Sequence, residues 1–228
     1  MKRSQINAAI RAAEARIAAG GFTLPPFADW TPDQMRARRG DIDAITGPGL
    51  GWDVTDFGQG DFAARGLALF TLRNGRAADL AAGRGMLYAE KLLCVRPGQL
   101  TPLHRHAIKA EDIINRAGGT LVVELFAADA EGGIDRAAPV RVMSDGQAVA
   151  LPPGGRLRLA PGQSVTLMPH HWHAFWAEGA EVLAGEVSTV NDDATDNIFA
   201  DPVSRFSRIE EDEPPYRLLV SDYPAALG

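Results

Sequence analysis

From Gly47-Pro48-Gly49 onward, nearly every apolar run in this chain is soon stopped by a glycine, a proline or an Asx-Gly pair. Gly66 to Arg73 ends at Asn74-Gly75, read as a tight hairpin turn. Met86 to Val95 ends at Pro97-Gly98. Gly119 to Phe126, Val140 to Met143, Gln147 to Leu151, Arg156 to Leu159, Ser164 to Leu167, Phe175-Trp176 and Val182 to Val187 follow, with Asp145-Gly146 among the breaks. Runs this short cannot hold an ordinary helix, and many of them at close spacing predict an all-β barrel or sandwich. The acidic, proline-interrupted tail from Ile209 to Pro215 reads as a solvated linker, followed by a last strand from Tyr216 to Val220.

The first 45 residues have a different period. Ile6, Ile10, Ala13 and Ile17 recur at helical spacing, Ser4 stands as an N-cap, and Gly20-Gly21 supplies a stop. Pro25-Pro26 forces an extended stretch, and Thr31-Pro32-Asp33-Gln34 is a capping box opening a second short helix toward Arg39. We therefore expect a helical arm over 1–45, packed on the outside of a sheet or on a neighbouring subunit. A barrel over 46–228 completes one globular unit.

A formal net charge of -6 argues against nucleic acid or an anionic membrane as partner. The single cysteine, Cys94, lies in the apolar run Leu92 to Val95 and reads as buried packing. The opening residues lead into an amphipathic pattern, so the expectation is a cytoplasmic protein with no cleaved leader and no membrane span.

All five histidines fall in two clusters, His104-Arg105-His106 and His170-His171-Trp172-His173. His104 and His106 share one side of a strand, whereas Glu111, five residues on, has the wrong parity unless residues 107–110 turn or bulge. Three imidazoles and one carboxylate form a cage for a divalent metal, with His171 or His173 as the third imidazole. Gly98, His104, His106, Glu111 and Gly118 match the first cupin motif, G-x5-H-x-H-x4-E-x6-G, at every position. The second motif, G-x5-P-x-G-x2-H-x3-N, is met at Gly162 and His173. Met168, His170 and Ala177 replace its proline, glycine and asparagine, so His170 must take a backbone shape that suits glycine. The resemblance to the cupins implies a β-barrel (double-stranded β-helix, or jelly roll) and a metal held by His104, His106, Glu111 and His173.

Longer strings resemble the D-lyxose isomerase family within the cupin superfamily. They include Leu24-Pro-Pro-Phe-Ala28, Leu50-Gly-Trp-Asp-Val-Thr55, Leu69 to Gly75, Tyr88-Ala-Glu-Lys91, Glu111-Asp-Ile-Ile-Asn-Arg116, His173 to Glu178 and Gly185 to Asp193. This resemblance spans nearly the whole chain. It implies reversible conversion of D-lyxose to D-xylulose, with D-mannose and D-fructose as a second pair. It also implies a divalent metal, Mn2+ first, with zinc, cobalt or iron as alternatives, and a homodimer.

Aldose–ketose isomerisation needs a group that moves hydrogen between C2 and C1. Lys109, between two ligands, and Glu186, a charge inside the strand-like Val182 to Val187, are the candidate acid–base pair. Glu90, Trp172, Phe175, Asp196 and Arg205 are candidates to bind sugar, with the alternation of strand faces allowing only one of Glu90 and Lys91 to point inward. The rival readings are a non-haem iron oxygenase on the same ligands, a non-catalytic sugar-binding cupin and a phosphosugar isomerase, the last needing a basic cluster where both motifs show only scattered Arg and Lys.

Overall fold

The computed structural model describes all residues 1–228. Helix α1 (Arg3–Ala19) opens the chain, followed by α2 (Pro32–Ala37) and α3 (Asp43–Thr46). Strands β1 (Gly51–Thr55) and β2 (Leu67–Arg73) precede α4 (Ala77–Ala81), and then come β3 (Tyr88–Val95), β4 (Thr101–His106) and β5 (Glu111–Ala128). The remaining strands are β6 (Ile134–Asp135), β7 (Val140–Ser144), β8 (Gln147–Leu151), β9 (Gly155–Leu159), β10 (Ser164–Leu167), β11 (Trp172–Thr189) and β12 (Asn197–Phe199). Helix α5 (Tyr223–Leu227) ends the chain.

Two long strands, β5 and β11, build the barrel. They pair antiparallel along their lengths, and each bends near its middle, where the register shifts between Glu178 and Val182. Gly118, at φ +107°, takes the bend, and any Cβ there would collide with the Glu181 carbonyl. Beyond the bend the two strands acquire different neighbours. On one side the order is β1-β2-β3-β11-β5-β10-β7-β8; on the other, β4 flanks β11 and carries β12 on its far edge, while β9 flanks β5. Two sheets that share one bent strand pair make the cupin jelly roll expected from the sequence. Leu93, Val95, Ile113, Leu121, Val123, Leu125, Val165 and Val182 fill the space between the sheets.

Helix α1 lies on the outer face of β1, β2 and β3, with Ile6, Ile10 and Ile17 fully buried against Phe70, Leu92 and Leu183. Each such side chain contributes roughly 1.5–3 kcal/mol by leaving water. Cys94 is buried in this layer beside Ala13. The capping box at Thr31 forms as read, its hydroxyl accepting from the Gln34 N–H while the Gln34 side chain accepts from the Thr31 N–H. The turns at Asp145-Gly146, both at positive φ, join β7 to β8.

Several local expectations change. Lys2, not Ser4, precedes the first helix, because the Ser4 N–H and hydroxyl both donate to Asp212. The acidic tail is accordingly no free linker: Glu211 and Asp222 clamp the buried guanidinium of Arg3, and Pro214 accepts from Asn7. Anionic groups at a helix N-terminus are stabilised by its unpaired N–H groups and dipole. Residues 216–220 form no strand; Leu219 makes one isolated bridge to Trp52. Asn74-Gly75 makes no hairpin turn, since α4 separates β2 from β3. The Asn74 amide instead ties Pro48 and Asn191 together.

Candidate active site

The interior end of the barrel collects His104, His106 and His173 from β4 and β11, all buried, with ligand nitrogens within 4.8 Å of one another. Register explains the meeting: His173 sits directly across from His104 on the neighbouring strand. Each ring places Nδ1 against a backbone carbonyl: His104 on Pro102 at 2.8 Å, His106 on Asp196 at 3.1 Å and His173 on His171 at 3.1 Å. A carbonyl only accepts, so Nδ1 carries the hydrogen and Nε2 of the neutral ring presents its lone pair inward. Burial, reinforced by His173 and His106, holds the His104 imidazole well below its ordinary pKa and keeps it neutral.

Glu111 joins them because β4 stops at His106 and β5 begins at Glu111, so the turn over 107–110 resets the parity. Its Oε1 lies 3.4 Å from Nε2 of His106 and 3.2 Å from Nε2 of His173. Those three atoms are buried and lack any hydrogen-bond partner. Buried acceptors facing one another without a donor are costly alone, and a cation among them satisfies all three at once. The donor set therefore fits a divalent metal, two or three imidazoles and a carboxylate being the usual company of zinc, iron or manganese.

A second feature runs along the pocket wall. Lys109 Nζ is 2.6 Å from Glu111 Oε2 and 3.0 Å from Glu186 Oε1, and Lys91 Nζ is 3.4 Å from the same Glu186 oxygen. Lys91 also reaches Asp193 at 3.5 Å, and Arg205 Nη2 bridges Asp193 at 3.0 Å and Asp53 at 2.7 Å. Signs alternate from the histidine cluster to Asp53. Burial opposes the charge on Lys109, but Glu111, Glu186 and Asp193 outweigh it and raise its pKa above that of a free lysine. Burial likewise opposes the charge on Glu111, yet the Lys109 ammonium holds its carboxyl well below the usual range.

The structure gathers His104, His106, Lys109, Glu111, His173, Phe175, Glu186 and Arg205 around one pocket of about 430 Å3, its mouth included. Three of the sugar-binding candidates lie elsewhere. Glu90 points outward and pairs with Arg73 at 3.2 Å, because Lys91 takes the inward position directly opposite Glu186. Trp172 has the opposite parity to His173, and its indole N–H donates to the Gly133 carbonyl behind the sheet. Asp196 does not line the pocket; its carboxylate accepts from the N–H groups of Ala107, Ile108 and Lys109 and fixes the turn between His106 and Glu111. His170 is exposed at φ +73°, the glycine-like backbone expected there, and His171 turns its Nδ1 to the Met168 N–H. Lys91 and Asp193 line the pocket and Asp53 backs Arg205 from outside the lining, all three with little sequence signal. The charge at Asp53 inside Trp52-Asp53-Val54 is the one hint, and Asp193 in a polar loop carries none.

A family model described as D-lyxose isomerase matches residues 1–223. The chain belongs to the D-lyxose isomerase family. A D-lyxose/D-mannose isomerase of Serratia proteamaculans is 47% identical over 226 residues, covering 98% of each chain. A D-lyxose/D-mannose isomerase of Escherichia coli O157:H7 is 44% identical over 227 residues, again covering 98% of each. Among solved structures, the L-ribose isomerase of Acinetobacter sp. DL28 in complex with L-ribose superposes with a TM-score of 0.62 at 16% identity, over 92% of this chain and 98% of that one. L-ribose isomerase of Cellulomonas parahominis with L-psicose gives 0.57 at 17% identity with the same coverage. At that identity the likeness shows a shared fold, which this D-lyxose isomerase family member realises with its bent β5–β11 pair.

Proposed function

We propose that this chain is a divalent-metal-dependent aldose–ketose isomerase interconverting D-lyxose and D-xylulose, with D-mannose and D-fructose as its second pair. One observation carries the reading: the unpartnered acceptors of His106, His173 and Glu111 adjoin a buried Lys109–Glu186 ion pair inside one pocket. The names of the two relatives support the sugar assignment.

His104, His106, Glu111 and His173 would hold the metal, Mn2+ first, and such an ion offsets the negative charge that develops on O1 and O2 of an open-chain sugar. The remaining work falls to the chain's own groups. Glu186 takes the proton from C2 and returns it to C1, passing through an enediol. Lys109 hands a proton to O1 and recovers one from O2, so each proton lost is replaced. Its two carboxylate contacts fix the ammonium beside the reacting carbons. Phe175, Phe57 and Phe199 line the apolar side of the pocket and keep bulk water from the enediol.

The test is conversion of D-lyxose by chelated protein and by protein reloaded with Mn2+. Ketose should form only after reloading. Full turnover without metal, or none with it, overturns the reading. Oxygen uptake on an iron-loaded sample would favour the oxygenase alternative instead.

We also propose a homodimer through the outer face of β7, β10, β5, β11 and β3. Met143, Thr166, Asp112, Val187 and Glu90 face each other in one cross-strand row, with Tyr88 opposite Thr189 in the next, and Met143, Val187 and Tyr88 are exposed. Three large apolar side chains exposed on one sheet face, set among polar ones, form a patch that a two-fold axis lets cover itself. Val187→Glu should then lower the molar mass measured by light scattering. A monomeric wild type would end the proposal. The free, buried Cys94 suits a reducing compartment, and we place the enzyme in the cytoplasm.

A further inference from the structure

The alternating wall has a consequence for which sugars the pocket admits, and it rests on the isomerase reading above. Each of its three cations faces two carboxylates: Lys109 faces Glu111 and Glu186, Lys91 faces Glu186 and Asp193, and Arg205 faces Asp193 and Asp53. Four acids against three bases leave the wall with no cation to spare. Asp193 is the last carboxylate of this ion-pair chain that still lines the pocket, separated from Glu111 by Lys109, Glu186 and Lys91. Its other side borders a wide recess whose one cation, Arg76, is itself paired with Asp43 at 2.9 Å.

We propose that Asp193 makes the distal part of the pocket charge-selective: by neutralising Lys91 and Arg205 together it rejects sugars with an anionic group at the end remote from O1 and O2, and admits neutral ones. Phosphate recognition requires uncommitted Arg or Lys donors. Here those donors exist but are occupied, so the residue that occupies them sets the choice. This is discrimination by an unfavourable charge as much as by a favourable contact. Asp193 thus acts as a specificity residue through the two cations it occupies.

The experiment compares D-mannose, D-mannuronate and D-mannose 6-phosphate on the Mn2+-loaded enzyme, read by competition with D-lyxose and independently by ligand-induced thermal shift. D-Mannuronate differs from D-mannose mainly in charge, so it separates charge from size. Both anions should bind the wild type at least about tenfold more weakly than D-mannose. Asp193→Asn, which keeps the shape and removes the charge, should narrow that gap about tenfold or more, and Asp193→Glu should restore it. Equal binding of D-mannose and D-mannuronate by the wild type overturns the proposal without any variant. So does an unchanged gap in a folded Asp193→Asn protein. Should the wild type fail to turn over D-lyxose, the isomerase reading falls, while the thermal-shift comparison still decides the charge filter.

Discussion

The carboxylate of Asp196 grips Lys109 through the backbone. Oδ2 accepts from the Lys109 N–H at 2.9 Å, while Oδ1 accepts from Ala107 at 2.9 Å and Ile108 at 3.0 Å. Three consecutive N–H groups on one anion form a small nest, and bonds to a charged acceptor are worth about 1.5–3 kcal/mol each in favourable cases. The turn they fix lies between His106 and Glu111 and delivers the Lys109 ammonium to the pocket. Asp196→Ala should therefore cost about 2–4 kcal/mol of stability and lower kcat more than it raises KM. Urea unfolding and steady-state kinetics on the metal-loaded protein check both parts. A fully active variant would show that the turn holds itself.

Glu186 and Glu90 differ in what they meet: Glu186 meets both Lys91 and Lys109 inside the barrel, and Glu90 meets only Arg73 outside. Glu186→Gln should reduce kcat by about 10²- to 10⁴-fold with metal content unchanged by elemental analysis. Glu90→Gln should leave turnover near the wild-type value and shift stability by no more than about 0.5 kcal/mol, as for an exposed pair.

Lys109→Met removes the ammonium from between two buried carboxylates. Breaking a buried ion pair by deleting one partner costs about 3–5 kcal/mol, so a marked fall in melting temperature is expected alongside lost turnover. Restoring thermal stability, but not activity, by adding Glu186→Gln in the same chain would separate the electrostatic burden from the chemical role. No recovery in the double variant would count against a shared charge problem.

Removing a ligand tests the cage directly. His173→Ala should bind less than about a tenth of the Mn2+ that the wild type retains after dialysis, measured by elemental analysis. His171→Ala, which alters a half-buried ring turned toward Met168, should keep its metal. Equal metal loss in both would return His171 to the set of ligands.

Burial against α1 pushes the Cys94 thiol up to about 12, from 9.0, with Glu181 adding to the effect. The folded value lies above the unfolded one, so this contribution is complete below pH 9 and is lost as pH rises toward 12. The native protein should leave a disulfide reagent unreacted at pH 8 and react fully in denaturant. Its stability should decline across that alkaline window, and less so in a Cys94→Ala variant. Rapid reaction of the native thiol would mean that α1 does not stay seated.

Much of the site is legible in the chain because its logic is local. His104 and His106 share a strand face by simple alternation, and a turn before Glu111 is required by parity alone. The glycine-like backbone at His170 follows from the position it fills. The strand pattern likewise foretells a β fold, since short runs between turn residues have no other stable use. Chain alternation also limits Glu90 and Lys91 to opposite faces, but it does not say which face is inside.

What the chain alone leaves open is decided by register between segments distant in sequence. Lys91 becomes an inner residue because it falls opposite Glu186, and Glu90 is turned out by the same pairing. Asp193, Arg205 and Asp53 meet only when the loop after β11 and the segment near residue 205 fold back onto β1. Asp196 looks like a sugar ligand in the sequence and proves to be a clamp on the 107–109 turn. Local spacing thus set the histidine face, because strand geometry is fixed by the backbone. The charged wall beside it depends on which long-range partners neutralise which, and burial makes those partnerships obligatory only once the barrel has closed.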